Sequence, residues 1–161
     1  MKTTEPVEQK SPNNFLELGD NAVELLKNLI SIPSFSKEED KTADLIEKYL
    51  QEKGVKTHRE KNNIWAFNHN FSPEKPTILL NSHHDTVRPN SGYTLDPFTP
   101  IVKDGKLYGL GSNDAGGALV SLMATFLYFY TADDLKYNFI YAATAEEENS
   151  GLDGVESVLP H

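Results

Sequence analysis

Apolar residues recur at helical spacing soon after the start of the chain, at positions Ala22, Leu25, Leu26 and Leu29. Asp20 precedes them and has the side chain of a helix N-cap, and the pattern stops at Ile32 and Pro33. The pattern therefore predicts an amphipathic helix that begins at Asp20. Residues 1–14 are polar and contain no apolar run, so we expect a loose tail there.

A second helix is predicted by Ser36 and Glu39, which have the spacing of a capping box. Apolar side chains follow at helical intervals, and these are Ala43, Ile46 and Leu50. Gly54 stands where the end of this helix would favour glycine, because glycine adopts the left-handed backbone conformation without steric cost. We therefore expect the helix to end at Gly54.

Five further segments have the patterns of strands or of a hairpin. Residues 55–60 and 64–68 flank a Lys-Asn-Asn turn and predict an antiparallel pair with Trp65 and Phe67 on one face. The apolar run at residues 77–80 is typical of a strand that is buried on both faces, and residues 137–144 predict another buried strand. Residues 101–108 predict a small hairpin around Asp104 and Gly105.

The most apolar part of the chain, residues 115–130, predicts a buried helix. Its apolar stretch is shorter than the roughly 20 residues that a membrane-spanning helix needs. Helices that alternate with buried strands favour a layered α/β domain with a largely parallel or mixed sheet. No internal repeat or low-complexity segment interrupts this order.

Composition and charge narrow the classes of function. The chain has 161 residues, of which 38% are hydrophobic and 24% charged, as expected for one globular domain. The 24 acidic residues outnumber the 15 Lys and Arg, and this net charge of -9 argues against a nucleic-acid partner and against an anionic membrane surface. There is no cysteine, so any metal must be held by His and carboxylates. The absence of cysteine also suits a reducing cytoplasm.

Polar clusters stand at the ends of three predicted elements. His83 and Asp85 follow the strand at residues 77–80, Asp114 opens the apolar helix, and Glu147 and Glu148 follow the last strand. In layered α/β folds ligands collect beyond the carboxyl ends of the strands, so we expect the three clusters to converge at one edge. His and carboxylate ligands with room for water are the chemistry of a hydrolytic zinc site.

Each cluster taken singly has a structural explanation. A His-x-Asp triplet is common by chance, Asp114 could be an ordinary helix N-cap, and the glutamates could form a solvated acidic turn. One of the adjacent His83 and His84 should be spare, since consecutive residues at a strand end point in different directions. Residues 109–117 are not a dinucleotide loop, because Asp114 occupies a glycine position and would repel a pyrophosphate.

Three motifs together resemble the M20 family of metallopeptidases and deacylases, over residues 20–154. They are Ser-His-His-Asp-Thr-Val at residues 82–87, Gly-Leu-Gly-Ser-Asn-Asp at residues 109–114, and Ala-Glu-Glu-Glu-Asn-Ser-Gly at residues 145–151. The resemblance implies a zinc-exopeptidase-like catalytic domain with a mixed central sheet and two zinc ions, or Co²⁺ in their place. It also implies hydrolysis of an amide of a small N-acyl amino acid.

The resemblance implies a role for each candidate residue. His83 would bind one zinc ion, Asp85 would orient that histidine, and Asp114 would bridge the two ions. Glu147 would be the general base and Glu148 a ligand of the second ion. Two local departures from the family pattern are Gly116, where a lysine is common, and Arg88, which stands before Pro89.

The family site also calls for a carboxylate and a histidine further downstream, and for a smaller lid and dimerisation domain. We therefore expect residues 15–161 to be the N-terminal portion of a catalytic domain that binds zinc poorly by itself and shows little turnover. The longer protein would be a homodimer. His161 stands thirteen residues after Glu148 with no motif to position it, so we reject it as a ligand.

Within the family the motifs look most like the acetylornithine deacetylase branch, which serves arginine biosynthesis. Succinyl-diaminopimelate desuccinylase and a dipeptidase or carboxypeptidase remain open as alternatives. A different class of answer is a binding module that keeps the fold without the chemistry, although folding does not require the base Glu147. A serine hydrolase is disfavoured because no Gly-x-Ser-x-Gly elbow occurs.

Overall fold

The structure is a computed structural model that describes residues 15–158. The tail expected at residues 1–14 lies outside the described residues, and so does His161. The helices are α1 (Phe15–Ile30), α2 (Asp40–Glu52), α3 (Ala118–Phe129) and α4 (Val155–Val158). The strands are β1 (His58–Glu60), β2 (Asn63–Phe67), β3 (Thr77–His83), β4 (Ile101–Lys103), β5 (Lys106–Tyr108) and β6 (Asn138–Thr144).

Four of these strands form a mixed sheet in the order β1-β2-β6-β3. The pairs β1-β2 and β2-β6 are antiparallel, whereas β3 and β6 are parallel. Strands β4 and β5 form the predicted separate hairpin, in which Asp104 and Gly105 have φ of 52° and 70°. The expected α/β class with a mixed central sheet is therefore confirmed.

The hydrophobic core lies between one face of this sheet and the helices. Ile64 and Ala66 of β2 and Tyr141 and Ala143 of β6 share that face, because alternate residues of a strand point to the same side. Helix α3 packs on β3 and β6, α2 packs on β2, and α1 packs on α3. The apolar positions of α2 that the periodicity identified are completely buried, and these are Ala43, Ile46 and Leu50.

Helix α1 begins at Phe15, so the predicted start at Asp20 is wrong. Leu18 is buried and extends the apolar stripe by one turn before Ala22, which keeps the first turns of the helix packed on α3. Asp20 is exposed inside the helix, where a polar side chain on the solvent face has little effect on packing. An N-cap residue type is therefore not sufficient to locate a helix start.

The predicted capping box of α2 does not form, because neither side chain bonds to the helix terminus. The hydroxyl of Ser36 donates to Asp85, and Glu39 stands at the N-cap position without a side-chain capping hydrogen bond. The other end of α2 agrees with the sequence, since Gly54 has φ of 77°. Val55 continues from this turn and is buried, and β1 begins only at His58.

Strand β3 was expected to be buried on both faces, and this is wrong. It is the last strand in the described sheet, and Ile78 and Leu79 are 38% and 48% exposed. Only its carboxyl end is enclosed, where Ser82 and His83 are buried. An apolar run thus indicated a strand correctly, but its place at the edge of the sheet depends on pairing that a short run does not encode.

Helix α3 begins at Ala118 rather than at residue 115, after an irregular turn over Ser112–Gly117. One face of α3 is buried in the core, whereas Ser121 and Tyr128 on its other side are exposed, so the prediction of a fully buried helix is only partly correct. No helix within residues 15–158 is long and apolar enough to cross a membrane.

Candidate metal and catalytic site

The parallel pairing of β3 with β6 brings two polar segments to the same edge of the sheet. His83, the last residue of β3, pairs with Thr144, the last residue of β6. Backbone hydrogen bonding continues one residue beyond, from the N–H of His84 to the carbonyl of Thr144. The segments that follow both strands therefore leave the sheet side by side.

His83, Asp114 and Glu148 converge at this edge, with one potential ligand atom from each lying within 4.8 Å of the others. Nε2 of His83 is 3.2 Å from Oδ1 of Asp114 and 3.6 Å from Oε2 of Glu147. His83 is buried, whereas the side chains of Asp114 and Glu147 are 78% and 61% exposed. The predicted convergence of the three clusters is confirmed.

Asp114 does not cap a helix, so that alternative is wrong. It lies in the irregular turn before α3 with φ of -111° and ψ of 101°, and the Asp114–Ala115 peptide bond is cis. No side-chain hydrogen bond caps this turn. The carboxylate is instead turned towards His83, where it forms one wall of the site.

Asp85 is completely buried behind His83. Three groups donate hydrogen bonds to its carboxylate besides the ring of His83, whose Nδ1 also lies 3.1 Å from the backbone carbonyl of Asp85. Its Oδ1 lies 3.3 Å from Nδ1 of His83, and the hydroxyl of Ser36 donates to Oδ2 at 2.7 Å. The backbone N–H groups of Glu147 and Glu148 donate to the two oxygens at 3.1 Å each. Burial alone would raise the pKa of Asp85, but these hydrogen bonds outweigh it and lower the pKa to about 2.

The carboxylates of Asp85, Asp114 and Glu147 strongly favour a positive charge on His83. The hydrogen bond to Asp85 raises the pKa of His83 to about 9 against the opposing effect of burial, and Asp114 and Glu147 add to the rise. Burial and the nearby carboxylates of Asp114, Asp85 and Glu147 raise the pKa of Glu148 despite the proximity of His83. One imidazole and two carboxylates surrounded by negative charge are a donor set that fits a divalent cation such as zinc.

His84 is the spare histidine, as predicted. Its ring is buried on the other side of the strand end, with Nδ1 2.9 Å from the hydroxyl of Thr42 and Nε2 2.9 Å from the carbonyl of Asn62. Burial lowers the pKa of His84, which favours the neutral form of the ring. It therefore ties β3 to the segment around α2 and contributes nothing to the cluster at His83.

Two residues that support this site, Ser36 and Glu39, were predicted from the sequence only as a capping box. Ser36 supports Asp85, and Glu39 is completely buried and accepts the backbone N–H of Glu146 at 3.2 Å. The capping-box spacing did single out both residues. It could not indicate that their partners lie on segments far along the chain.

The structure gives a reason for one of the two departures from the family pattern. A Cβ atom on Gly116 would lie 2.5 Å from the carbonyl oxygen of Gly111 and 2.6 Å from Cδ1 of Leu26, so a larger side chain needs a different local packing. Arg88 is exposed, stacks over Phe35 at 4.2 Å from the ring centre, and pairs with Glu38.

Comparison with known proteins identifies relatives of this arrangement. A family model described as peptidase family M20/M25/M40 matches residues 79–160, which is half of the chain. The succinyl-diaminopimelate desuccinylase of Wigglesworthia glossinidia brevipalpis is 33% identical over 146 residues, covering 86% of this chain and 38% of that protein. The enzyme of the same name from Beijerinckia indica is 28% identical over 154 residues, covering 88% and 39%. The chain thus spans less than two-fifths of these relatives, and they do not support the acetylornithine branch specifically.

Solved structures share the fold at lower sequence identity. Human carnosine dipeptidase 1 superposes with a TM-score of 0.70 at 22% identity, covering 97% of this chain and 38% of that one. The YXEP protein of Bacillus subtilis, described as a dinuclear metal-binding peptidase of the M20 family, has a TM-score of 0.65 at 18% identity and covers 90% and 40%. The family match over half of the sequence and this common fold show that the chain belongs to peptidase family M20/M25/M40.

Proposed function

We propose that this chain carries the metal-binding part of a zinc-dependent amide hydrolase, and that residues 15–161 belong to its catalytic domain. The observation that carries the proposal is the meeting of His83, Asp114 and Glu148 within 4.8 Å. These residues come from three separate segments, and carboxylates that lie close together repel one another unless a cation offsets the repulsion. The family membership supports the same conclusion.

In this proposal each side chain has one task. His83 would hold one zinc ion with Nε2, which faces the cluster, while Asp85 lies against Nδ1 and so sets the tautomer and the ring orientation. Asp114 would be held in common by the two ions, and Glu148 would be a ligand of the second ion. Zinc suits a site of imidazole and carboxylate ligands without thiolates, and Co²⁺ accepts the same donors.

Glu147 is the general base. Its carboxylate lies beside the cluster rather than inside it and is well exposed, so that it can reach a water molecule and a substrate at the open side. Bound zinc would supply Lewis acidity for the amide carbonyl and lower the pKa of water. Glu147 takes a proton as the water oxygen attacks the carbonyl carbon. It then delivers the proton to the nitrogen as the C–N bond breaks, leaving a carboxylic acid and a free amine.

For the substrate we propose an N-succinylated diamino acid, with succinyl-diaminopimelate first. The support is the name shared by the relatives from Wigglesworthia and Beijerinckia, which align with most of this chain. The motifs at residues 82–87 and 145–151 resemble acetylornithine deacetylase, so N-acetylornithine is the second candidate. Both are small N-acyl amino acids, in agreement with the acidic charge that disfavours nucleic acids.

The test is a comparison of substrates and metal content in the protein that carries this chain. After loading with Zn²⁺, hydrolysis of succinyl-diaminopimelate, N-succinylornithine and N-acetylornithine is followed by release of the free amine. We expect kcat/KM for succinyl-diaminopimelate to exceed that for N-acetylornithine by at least about tenfold, because the acyl-binding contacts differ. Stoichiometric zinc measured by mass spectrometry is expected as well. A protein without zinc and without hydrolysis of any of the three would instead be a binding module.

A further inference from the structure

Glu39 stands apart from the proposed metal ligands, yet it contacts the segment that carries two of the site residues. Resting on the proposed function, we propose that Glu39 is a positioning residue, whose buried carboxylate holds the Glu146–Glu148 loop in the place where Glu147 and Glu148 can act. Neither the family match nor the names of the relatives assign a role to this residue.

The carboxylate of Glu39 has three donors and lies completely inside the protein. Oε1 accepts the backbone N–H of Lys37 at 2.7 Å and that of Glu146 at 3.2 Å, while Oε2 accepts the side-chain amide of Asn62 at 3.0 Å. Glu146 is 107 positions away along the chain. The carboxylate therefore joins the loop before α2 to the loop after β6.

Glu39 completes a regular pattern in the Glu146–Glu148 loop. Three successive backbone N–H groups of this loop donate to two buried carboxylates, those of Glu146 to Glu39 and those of Glu147 and Glu148 to Asp85. Both carboxylates are completely buried, and hydrogen bonds to charged acceptors are among the stronger ones. With the amides directed inwards, the side chains of Glu147 and Glu148 are left on the side of the cluster with His83.

The backbone conformation shows that the loop depends on these contacts. Glu146 has φ of 54° and Lys37 has φ of 77°, and long side chains rarely adopt this left-handed region. Both residues present their N–H groups to the same oxygen of Glu39. Such conformations persist where the surrounding structure holds them, and the carboxylate of Glu39 is the group that holds both.

The segment before α2 that carries Glu39 also contacts the residues that follow β3. The hydroxyl of Ser34 donates to the carbonyl of His84, and that of Ser36 donates to Asp85. Asn62 donates to Glu39 and also accepts from His84 through its carbonyl oxygen. Glu39 is thus part of a buried network that fixes the end of β3 and the end of β6 relative to each other. The distance between these two strand ends decides whether His83 and Glu148 can share a metal site.

Three variants at one position separate positioning from general stability. E39A removes the acceptor, E39D keeps the charge but withdraws the carboxylate by one methylene, and E39Q keeps an oxygen at full length. A matched control is N138A, since Asn138 is also completely buried and bonds to the backbone of Ser72 and Lys75. Asn138 begins β6, whereas Glu146 follows its other end.

The principal measurement is amide hydrogen exchange, resolved by residue with NMR, in the metal-free chain. We expect E39A and E39D to speed the exchange of Glu146, Glu147 and Glu148 by about tenfold relative to the amides of Tyr141 and Ala143 in the core of β6. E39Q should restore slow exchange to within about threefold, because its amide oxygen can accept from Glu146. N138A should leave the ratio unchanged. If E39A does not fold, the difference in amide exchange between E39D and E39Q tests the role of Glu39.

Binding of Co²⁺ by the protein that carries this chain provides the second measurement, by calorimetry and by the visible absorption spectrum. E39A and E39D should weaken binding by about tenfold and alter the spectrum, whereas E39Q and N138A should not. The role of Glu39 is overturned if the amides of Glu146, Glu147 and Glu148 exchange at the same rate in E39D as in the unmodified chain. It is also overturned if the amides in the core of β6 are accelerated equally, or if E39Q does not fold. If the protein that carries this chain binds no Co²⁺ although the chain shows the expected exchange pattern, the proposed metal site is contradicted and the role of Glu39 stands.

Discussion

Oδ1 of Asp85 lies 3.3 Å from Nδ1 of His83, in a position where the carboxylate is completely buried. This contact leaves the opposite ring nitrogen, Nε2, facing Asp114 at 3.2 Å. In metal sites a carboxylate behind a histidine fixes the tautomer and makes the ligating nitrogen more basic. The relationship explains why a buried aspartate with lowered pKa stands two residues after a candidate ligand.

Replacement of this carboxylate is therefore expected to weaken metal binding. D85N places an amide NH₂ among groups that donate hydrogen bonds, including Ser36 and the backbone of Glu148. We expect the affinity for Zn²⁺, measured by calorimetry at neutral pH, to fall by about 10- to 100-fold. D153N is the matched control, because within residues 15–158 the side chain of Asp153 forms only an exposed ion pair with Lys61. Equal affinities of D85N and D153N would contradict the orienting role of Asp85.

Metal binding should also depend on pH through His83. Because the pKa of His83 is raised to about 9, the metal-free ring carries a proton at neutral pH, and a metal ion must displace that proton. The affinity for Co²⁺ should therefore rise by about tenfold per pH unit between pH 6 and 8. Calorimetry in buffers of different ionisation enthalpy should show about one proton released per ion at pH 7. An affinity independent of pH would show that His83 is not a ligand.

Replacement of Glu147 and replacement of Glu148 are expected to have different effects on zinc content. E147Q removes a base that lies beside the cluster, so zinc content should be unchanged while kcat falls by about 10²- to 10⁴-fold. E148Q removes a proposed ligand, so zinc content should fall as well. The backbone hydrogen bonds of both residues to Asp85 are retained in either variant, which makes each a control for the other. Loss of zinc in E147Q would show that the two roles are exchanged.

Two glycines provide a matched test of packing. Gly19 lies inside α1, and among residues 15–158 no atom other than nearby backbone of the same helix lies within 4 Å of an added Cβ. G19A should therefore raise the free energy of unfolding by about 0.5–1 kcal/mol. A Cβ atom on Gly116 would clash with the carbonyl of Gly111 and with a methyl of Leu26. G116A should therefore lower the free energy of unfolding by about 1–3 kcal/mol. Urea unfolding followed by circular dichroism measures both. A neutral G116A would show that the turn before α3 adapts to a side chain.

The elements that could be predicted are those whose signal is local. The periodicity of Ala43, Ile46 and Leu50 identified the buried face of α2, and Asp104 with Gly105 identified the turn of the hairpin. Periodicity and turn chemistry depend on neighbours a few residues away, so they are readable from the sequence. The predicted start of α1 at Asp20 failed because the packing of Leu18 extended the helix beyond a residue that resembled a cap.

The errors at β3 and at Ser36 have the same physical origin. Exposure of Ile78 follows from the position of β3 in the sheet, and the partner of Ser36 is Asp85 rather than the terminus of α2. Both outcomes depend on which segments meet across the folded chain. A local pattern specifies the chemistry that a residue can offer but not the partner that it finds.

By itself the sequence determined the residue types at His83, Asp114 and Glu148, the family motifs that contain them, and the exclusion of thiolate ligands by the lack of cysteine. Only the tertiary structure decided that these side chains meet, because the parallel pairing of β3 with β6 and the turn before α3 bring them to one edge. It also decided that Asp85 and Glu39 bind three successive amides of one loop. Such contacts join segments that are distant along the chain, and they form only when burial of the core has brought those segments together.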